Sequence, residues 1–157
     1  MFSKSINNSI TNGKQIDNTI PAPEVPPPDY HQSYVATNQA INHLTNTTVS
    51  FWDDDITSTN ITRVGGVFTV SSDGYYQVST TLTFSPSSVG VRDFWVQHGG
   101  IRKLETILLG SATVSCVANL SGTIYMVSGE NITVNVFQDR GSQLNLTSGY
   151  ISIIKLL

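Results

Sequence analysis

The clearest structural signal in the chain is a run of alternating side chains, Tyr75-Tyr76-Gln77-Val78-Ser79-Thr80-Thr81-Leu82-Thr83-Phe84. Side chains two positions apart lie on the same face of a β-strand, so this period of two predicts a strand with one buried face. The predicted buried face holds Tyr76, Val78, Thr80, Leu82 and Phe84. The preceding Ser71-Ser72-Asp73-Gly74 is typical of a tight turn, because Asp-Gly supplies a positive-φ position.

The same alternation returns in short runs through residues 36–157. Turn residues interrupt these runs at intervals of about 8–12 residues, which is typical of a β-sandwich or barrel. We find no amphipathic helix of about ten residues or more, a length below which helices are rarely stable alone. Further strands are predicted at residues 48–52, 61–64, 67–70, 91–98, 112–127, 131–138 and 144–157. The fold class is therefore all-β.

Residues 1–35 have a different composition. Their first part is polar with isolated isoleucines, and residues 21–28 are rich in proline, which fixes φ and disfavours helix before it. Such a segment is extended at about 3 Å per residue. We therefore divide the chain into an extended N-terminal arm, residues 1–35, and a β-sandwich domain, residues 36–157.

The arm carries the residues that we predict to dock on a partner. They are Ile6, Ile10, Ile16, Ile20, Pro27, Pro28 and Tyr30. Pro27-Pro28-Asp29-Tyr30 also matches the pattern that WW domains bind in the polyproline II conformation. The alternative is a spacer that happens to end in tyrosine.

Composition excludes several classes of function. Only 12% of the residues are charged and the net charge is −3, so no basic patch for nucleic acid is expected. No apolar run reaches the ~20 residues of a membrane-spanning helix, and the first residues lack the apolar core of a secretion signal. The single Cys116 excludes an internal disulfide. A surface rich in Ser, Thr and Asn suits packing against further copies of the chain, where each buried charge would need a partner.

Three segments resemble C1q/TNF-like domains in order and spacing. The first is Gly66-Val67-Phe68-Thr69-Val70-Ser71-Ser72-Asp73-Gly74-Tyr75-Tyr76-Gln77-Val78. The second is Ile124-Tyr125-Met126-Val127-Ser128-Gly129-Glu130-Asn131-Ile132-Thr133-Val134-Asn135-Val136, with Glu130 where Asp is usual, and the third is Ser148-Gly149-Tyr150-Ile151-Ser152-Ile153. The resemblance implies a jelly-roll protomer that forms a homotrimer. It also implies a role as a receptor ligand, a surface tip or a viral or phage appendage head.

No motif for catalysis or for cofactor binding is present, so we expect neither an enzyme nor a cofactor. His31, His43 and His98 are scattered without ligands at zinc-site spacing. Asp53, Asp54 and Asp55 are weak candidates for a Ca²⁺ site, because adjacent acidic residues lack the alternation of a calcium-binding loop. A solvated turn is the simpler interpretation of this acidic cluster.

Aromatic residues mark the predicted subunit interface. Alternation places one aromatic of each neighbouring pair on the outer side of its sheet, and aromatic residues are enriched in interface cores. The candidates are Tyr75, Trp95, Phe137 and Tyr150. Two-sided packing of an ordinary sheet would place them in the same way.

Together these observations predict a virion structural protein at the particle surface. The jelly roll would oligomerise, and residues 1–35 would attach to a capsid or fibre protein. The absence of a collagen-like stem, a secretion signal and a disulfide favours a viral or phage version of the domain. The alternative is a C1q-like module that binds a host glycan or receptor through loops such as residues 53–59 or 85–91.

Overall fold

The computed structural model describes residues 10–11, 14–15, 29–35 and 38–156, with only the backbone for the first two pairs. The described chain contains strands and no helix, which confirms the all-β prediction. The strands are β1 (Ile10–Thr11), β2 (Lys14–Gln15), β3 (Tyr30–Tyr34), β4 (Gln39–Ile41), β5 (Thr47–Thr48), β6 (Asp53–Ile56), β7 (Ile61–Val64), β8 (Val67–Val70), β9 (Gly74–Phe84), β10 (Ser87–His98), β11 (Ile101–Ser111), β12 (Cys116–Met126), β13 (Asn131–Gln138) and β14 (Leu144–Lys155).

Twelve of these strands form two antiparallel sheets. The first sheet has the order β12-β9-β14-β3-β6, with β4 also pairing with β14. The second sheet has the order β11-β10-β13-β8-β7, with β5 also pairing with β13. The remaining strands, β1 and β2, pair with each other as a short hairpin.

The core lies between the two sheets and follows the alternation of the sequence. Every second residue of β9 from Tyr76 to Phe84 is buried, and Ile132, Val134 and Val136 of β13 face them from the second sheet. The rings of Phe51 and Phe68 meet edge to face with centroids 5.5 Å apart. Apolar burial of this kind contributes roughly 1.5–3 kcal/mol for each large side chain.

The sandwich begins earlier in the chain than the predicted boundary at residue 36. Strand β3 lies between β14 and β6, and residue pairs such as Tyr34 with Tyr150 and Tyr30 with Ile154 set its register. Proline-rich composition up to residue 28 masked the alternation that follows it. Residues 29–35 therefore belong to the sandwich and not to the arm.

Three further predictions about strands need correction. The strand predicted at 48–52 is short, ending at Thr48. The acidic residues 53–55 form edge strand β6 and not a solvated turn. Strand β11 was missed, because its outward residues Ile107 and Leu109 are as apolar as its half-buried Leu104 and Leu108 and so conceal the period of two.

The Gly65-Gly66 turn joins β7 to β8 where the backbone passes close to a neighbouring segment. Gly65 has a φ of +60°, which favours glycine. A Cβ on Gly66 would lie 2.1 Å from the carbonyl oxygen of Val49. The two glycines are therefore required by the turn and by the close approach.

Candidate interaction surface

The outward side of the first sheet is a broad surface without a charged side chain on strands β3, β9, β12 and β14. Its residues come from β3, β14, β9 and β12, and we call it the tyrosine face. The tyrosine face consists of Tyr30, Gln32, Tyr34, Tyr75, Gln77, Ser79, Thr81, Thr83, Val117, Asn119, Ser121, Thr123, Tyr125, Ser148, Tyr150, Ser152 and Ile154. Each of these strands sends its alternate residues into the core, so the period of two that builds the core also builds this surface.

Polar side chains of the tyrosine face bind one another across the strands. Thr81 donates to Asn119 over 2.6 Å, and Ser79 and Ser121 are 2.8 Å apart. Gln77 donates to Ser121 over 2.8 Å and accepts from Thr123 over 2.9 Å. These hydroxyl and amide groups satisfy one another, which lowers the cost of removing them from water.

Two tyrosine pairs lie at opposite ends of the tyrosine face. Tyr75 and Tyr125 meet edge to face with centroids 5.1 Å apart and are 59% and 52% exposed. Tyr34 and Tyr150 are 6.3 Å apart at a tilt of 52°. A tyrosine that is half exposed in the single chain retains a large area for contact with a partner.

The outward side of β3 also carries two tyrosines, Tyr30 and Tyr34. Tyr30 donates to the side-chain carbonyl of Gln32, and the amide of Gln32 donates to the hydroxyl of Tyr34. Partial burial raises the pKa of Tyr30 above its usual value, and the nearby Tyr34 and Asp55 raise it further. The phenol therefore stays neutral at physiological pH, and the tyrosine face stays uncharged.

The four aromatic residues predicted for an interface divide between the two sheets. Tyr75 and Tyr150 lie on the tyrosine face, whereas Trp95 and Phe137 lie on the outward side of the second sheet. Phe137 is half-buried, and Trp95 is only 2% exposed in the single chain. Trp95 therefore offers almost no surface to another copy, and the interface prediction needs correction for this residue.

Charged side chains explain why Trp95 is covered. The guanidinium of Arg102 lies 3.7 Å from the centre of the Trp95 ring. The same guanidinium donates to Asp93 over 2.7 Å and also to Glu105. Because the outward side of the second sheet carries this ion-pair network, it differs in kind from the tyrosine face.

The acidic residues of β6 do not form a cluster suited to calcium. Arg63 holds Asp54 through two nitrogens, at 2.6 and 3.0 Å, and Ser33 donates to Asp54 over 2.5 Å. The hydrogen bond from Arg63 lowers the pKa of Asp54 below its usual value, and the bond from Ser33 lowers it further. Asp53 and Asp55 are exposed. In the described ranges no three His, Cys, Asp or Glu side chains are grouped to hold a metal ion.

Most of the predicted arm-docking residues lie outside the described part of the chain. These are Ile6, Ile16, Ile20, Pro27, Pro28 and the side chain of Ile10. Tyr30 is described and lies in β3, so it is not part of an extended ligand for a WW domain. Its neighbour Asp29 accepts hydrogen bonds from Asn60 over 2.6 Å and from the Lys155 backbone over 2.9 Å, which fixes the point where residues 1–28 join the sandwich.

Sequence reasoning missed several members of the tyrosine face. Gln32 and Tyr34 were assigned to the arm, and Tyr125 was placed in a strand without being considered for an interface. The alternation of Tyr30, Gln32 and Tyr34 with buried His31 and Ser33 was the available signal.

None of the elements in the described residues is a helix long and apolar enough to cross a bilayer.

No protein-family model and no curated protein matches the sequence. Solved structures do match. The globular domain of zebrafish complement 1qA has a TM-score of 0.66 at 12% identity, covering 83% of this chain and 98% of that one. Murine APRIL at pH 5.0 has a TM-score of 0.65 at 14% identity, covering 83% and 100%. Vertex protein P5 of phage PRD1 has a TM-score of 0.59 at 14% identity, covering 82% and 97%. The chain therefore has the jelly-roll fold of TNF/C1q-type domains.

Proposed function

We propose that this chain is a non-enzymatic structural protein of a virus or phage particle, which self-associates through the tyrosine face and attaches to the particle through its N-terminal segment. The observation that carries the proposal is the uncharged tyrosine face itself. A phage vertex protein among the structures of similar fold supports the viral assignment. The domains of TNF/C1q type that this fold resembles imply a homotrimer.

Self-association is supported by the chemistry of the tyrosine face. Burying an ion pair costs desolvation energy that its attraction often fails to recover. The outward residues of β3, β9, β12 and β14 have only hydroxyl, amide, apolar or tyrosine side chains. Several of these side chains already bind one another. A second copy therefore covers this surface without stranding a charge.

Attachment through the N-terminal segment is supported by its position. Residues 1–28 join the sandwich at Asp29, beside Lys155 near the end of β14. Tyr75 lies at the same end, since its carbonyl accepts the amide of Leu156. The segment thus joins the sandwich at one end.

Solution mass tests the self-association. We expect light scattering after size exclusion to give a trimer for the full chain and a monomer for Ser121→Arg, because Ser121 is exposed on the tyrosine face midway along β12. The matched control is Thr62→Arg, which adds the same side chain at an exposed position of β7 in the second sheet. A trimer for Ser121→Arg, or a monomer for the full chain, would contradict the proposal.

Attachment is tested separately by deleting residues 1–28 and assaying incorporation into particles. We expect the shortened protein to keep its solution mass and to be lost from particles. Incorporation at the normal level would overturn the tethering role and leave the self-association untouched.

The alternative, a glycan-binding module, is favoured by one observation. Trp52 is 67% exposed in the loop before β6, beside exposed Asp53. An exposed indole beside a carboxylate suits a sugar ring, whose apolar side stacks on the aromatic and whose hydroxyls bind the acid. Saturable glycan binding that Trp52→Ala abolishes, with solution mass unchanged, would support this module. No binding on a broad glycan panel would exclude it.

A further inference from the structure

A histidine is buried where the N-terminal segment enters the sandwich. His31 lies in β3 and is 2% exposed. Its ring packs edge to face on Phe68 of β8 with centroids 5.5 Å apart. Its register partner in β14 is Ile153, which is also buried. The imidazole therefore sits in the core, one strand from the edge of the first sheet.

Hydrogen bonds define which nitrogen of His31 carries the proton. Ser33 donates its hydroxyl hydrogen to Asp54 over 2.5 Å, so its oxygen accepts from the imidazole. Nε2 of His31 lies 2.8 Å from that oxygen and hence bears the hydrogen. Nδ1 is unprotonated, buried and without a hydrogen-bond partner among the described residues.

Protonation at Nδ1 would place a cation in this site. The charged groups that face His31 are Asp54 from β6 and Arg63 from β7, and Arg63 already neutralises Asp54. The elements β8 and β14 present Phe68 and Ile153, which do not titrate. A second cation would therefore lie beside Arg63 with one carboxylate shared between them.

The neutral form of His31 is thus the form that the fold accommodates. Burial lowers the pKa of His31 from its usual value of 6.5, and Arg63 acts in the same direction. The attraction and hydrogen bond of Asp54 and a hydrogen bond with the backbone of Ile61 in β7 oppose this shift without cancelling it. Nε2 lies 3.4 Å from Asp54, yet this contact is not an ion pair near neutral pH because the imidazole is uncharged there.

From this geometry we infer that His31 is an acid-sensitive latch, which holds β3 and the start of the sandwich at Asp29 closed at neutral pH and loosens them on mild acidification. Strand β3 has only the short edge strand β6 on its outer side, so it is able to open without the rest of the sheet. On the proposed function above, on which this consequence rests, the opening would loosen the joint between the domain and its attachment segment.

The direction of the pH effect follows from linkage. With the pKa lowered in the folded state, the opened strand binds more protons than the closed one, so stability falls as pH falls below about 6.5. At pH values above that, both states are unprotonated and no dependence on His31 remains. Asp54 keeps its negative charge throughout this range, because its pKa is lowered from 3.8. Its interactions are therefore lost only at more acidic pH.

Hydrogen exchange of the full chain at about pH 7.5 and about pH 5.5 tests the latch. After correction for intrinsic rates, we expect protection of the β3 amides to fall by up to about tenfold at the lower pH, the limit for a group with an open-state pKa one unit above it. Amides of central strand β13 should keep their protection. In His31→Gln, which does not titrate, the loss in β3 should disappear.

The matched control is His98→Gln, which removes a half-buried histidine bonded to Glu130 on the second sheet. It should show the same loss in β3 as the natural chain. Equal loss in β3 and β13, or equal loss in His31→Gln and the natural chain, would overturn the latch. If His31→Gln does not fold, an NMR titration of His31 in the natural chain decides the matter: a pKa below 6.5 supports the latch, and one at or above 6.5 overturns it.

Discussion

The outward sides of the two sheets differ in how many charged side chains they carry. On the second sheet, Arg102 covers Trp95 and binds Asp93 and Glu105. On the first sheet, the tyrosine face carries no charged side chain and leaves Tyr75 and Tyr125 more than half exposed. On the second sheet a charged side chain covers Trp95, whereas on the first sheet Tyr75 and Tyr125 remain exposed.

This difference is the physical reason for proposing that the first sheet meets the partner. An ion-pair network on a sheet costs little while it stays in water and becomes expensive when it is covered. Hydroxyl and amide groups that already bind one another, such as Thr81 with Asn119, carry a much smaller desolvation cost. Charge placement therefore supports the proposal that the contact surface lies on the first sheet.

The largest effect is expected from removing β3, which contributes Tyr30, Gln32 and Tyr34 to the tyrosine face and His31 and Ser33 to the interior. Deletion of residues 1–34 removes five residue pairs with β14. At roughly 1 kcal/mol for each hydrogen bond, with the loss of apolar burial in addition, we expect unfolding free energy to fall by at least about 4 kcal/mol. Urea unfolding measures this loss.

Deletion of residues 1–28 is the matched control, because it leaves β3 and its contacts with Asp54 in place. Its urea midpoint should equal that of the full chain, since β1 and β2 pair with each other and with neither sheet. Equal midpoints for both deletions would show that β3 is dispensable, and the tyrosine face would then end at β14.

The alternation of the sequence was sufficient to predict the core. Strand β9 was recognised with the correct buried face, since every second residue from Tyr76 to Phe84 is buried. Periodicity identifies which residues of a strand share a face, because that relation is local. It does not identify which strands are neighbours, so the joining of β3 to β14 was not predictable from it.

The contact surface was predictable only in part for the same reason. Tyr75 and Tyr150 were correctly placed on outward sides, but alternation gives no sign that both belong to one sheet. Trp95 also points outward and is nevertheless buried, because Arg102 comes from the neighbouring strand β11. A covering side chain from another strand leaves no trace in the local pattern.

Tyr125→Ser is expected to have a smaller effect on stability and to test the tyrosine face alone. Tyr125 is 52% exposed in the single chain, so its loss should change the unfolding free energy of the protomer by less than about 1 kcal/mol. Tyrosine is enriched among the interface residues that contribute about 2 kcal/mol or more, and we expect the dissociation constant to rise roughly 30-fold. Sedimentation at several concentrations measures it, and an unchanged constant would remove Tyr125 from the interface.

The opposite result is expected from Arg102→Ala on the second sheet. Loss of its cation–π contact and surface ion pairs should lower the unfolding free energy by about 1 kcal/mol and leave the dissociation constant unchanged. Trp95 should become more exposed, which shifts its fluorescence to longer wavelength. The measurement is made in a Trp52→Phe background, because Trp52 is already 67% exposed and would dominate the emission.

The smallest effect is expected from salt, and it acts on the two sides differently. Between about 0.1 M and 1 M NaCl the screening length falls from about 10 Å to 3 Å, so the exposed ion pairs of Arg102 weaken. The natural chain should therefore lose a few tenths of a kcal/mol of stability relative to Arg102→Ala over this range. Self-association should hold or strengthen, because the tyrosine face has no ion pair to screen. Dissociation of the oligomer by salt would mean that charged residues at the rim, such as Asp53 and Asp55, carry the contact instead of the tyrosines.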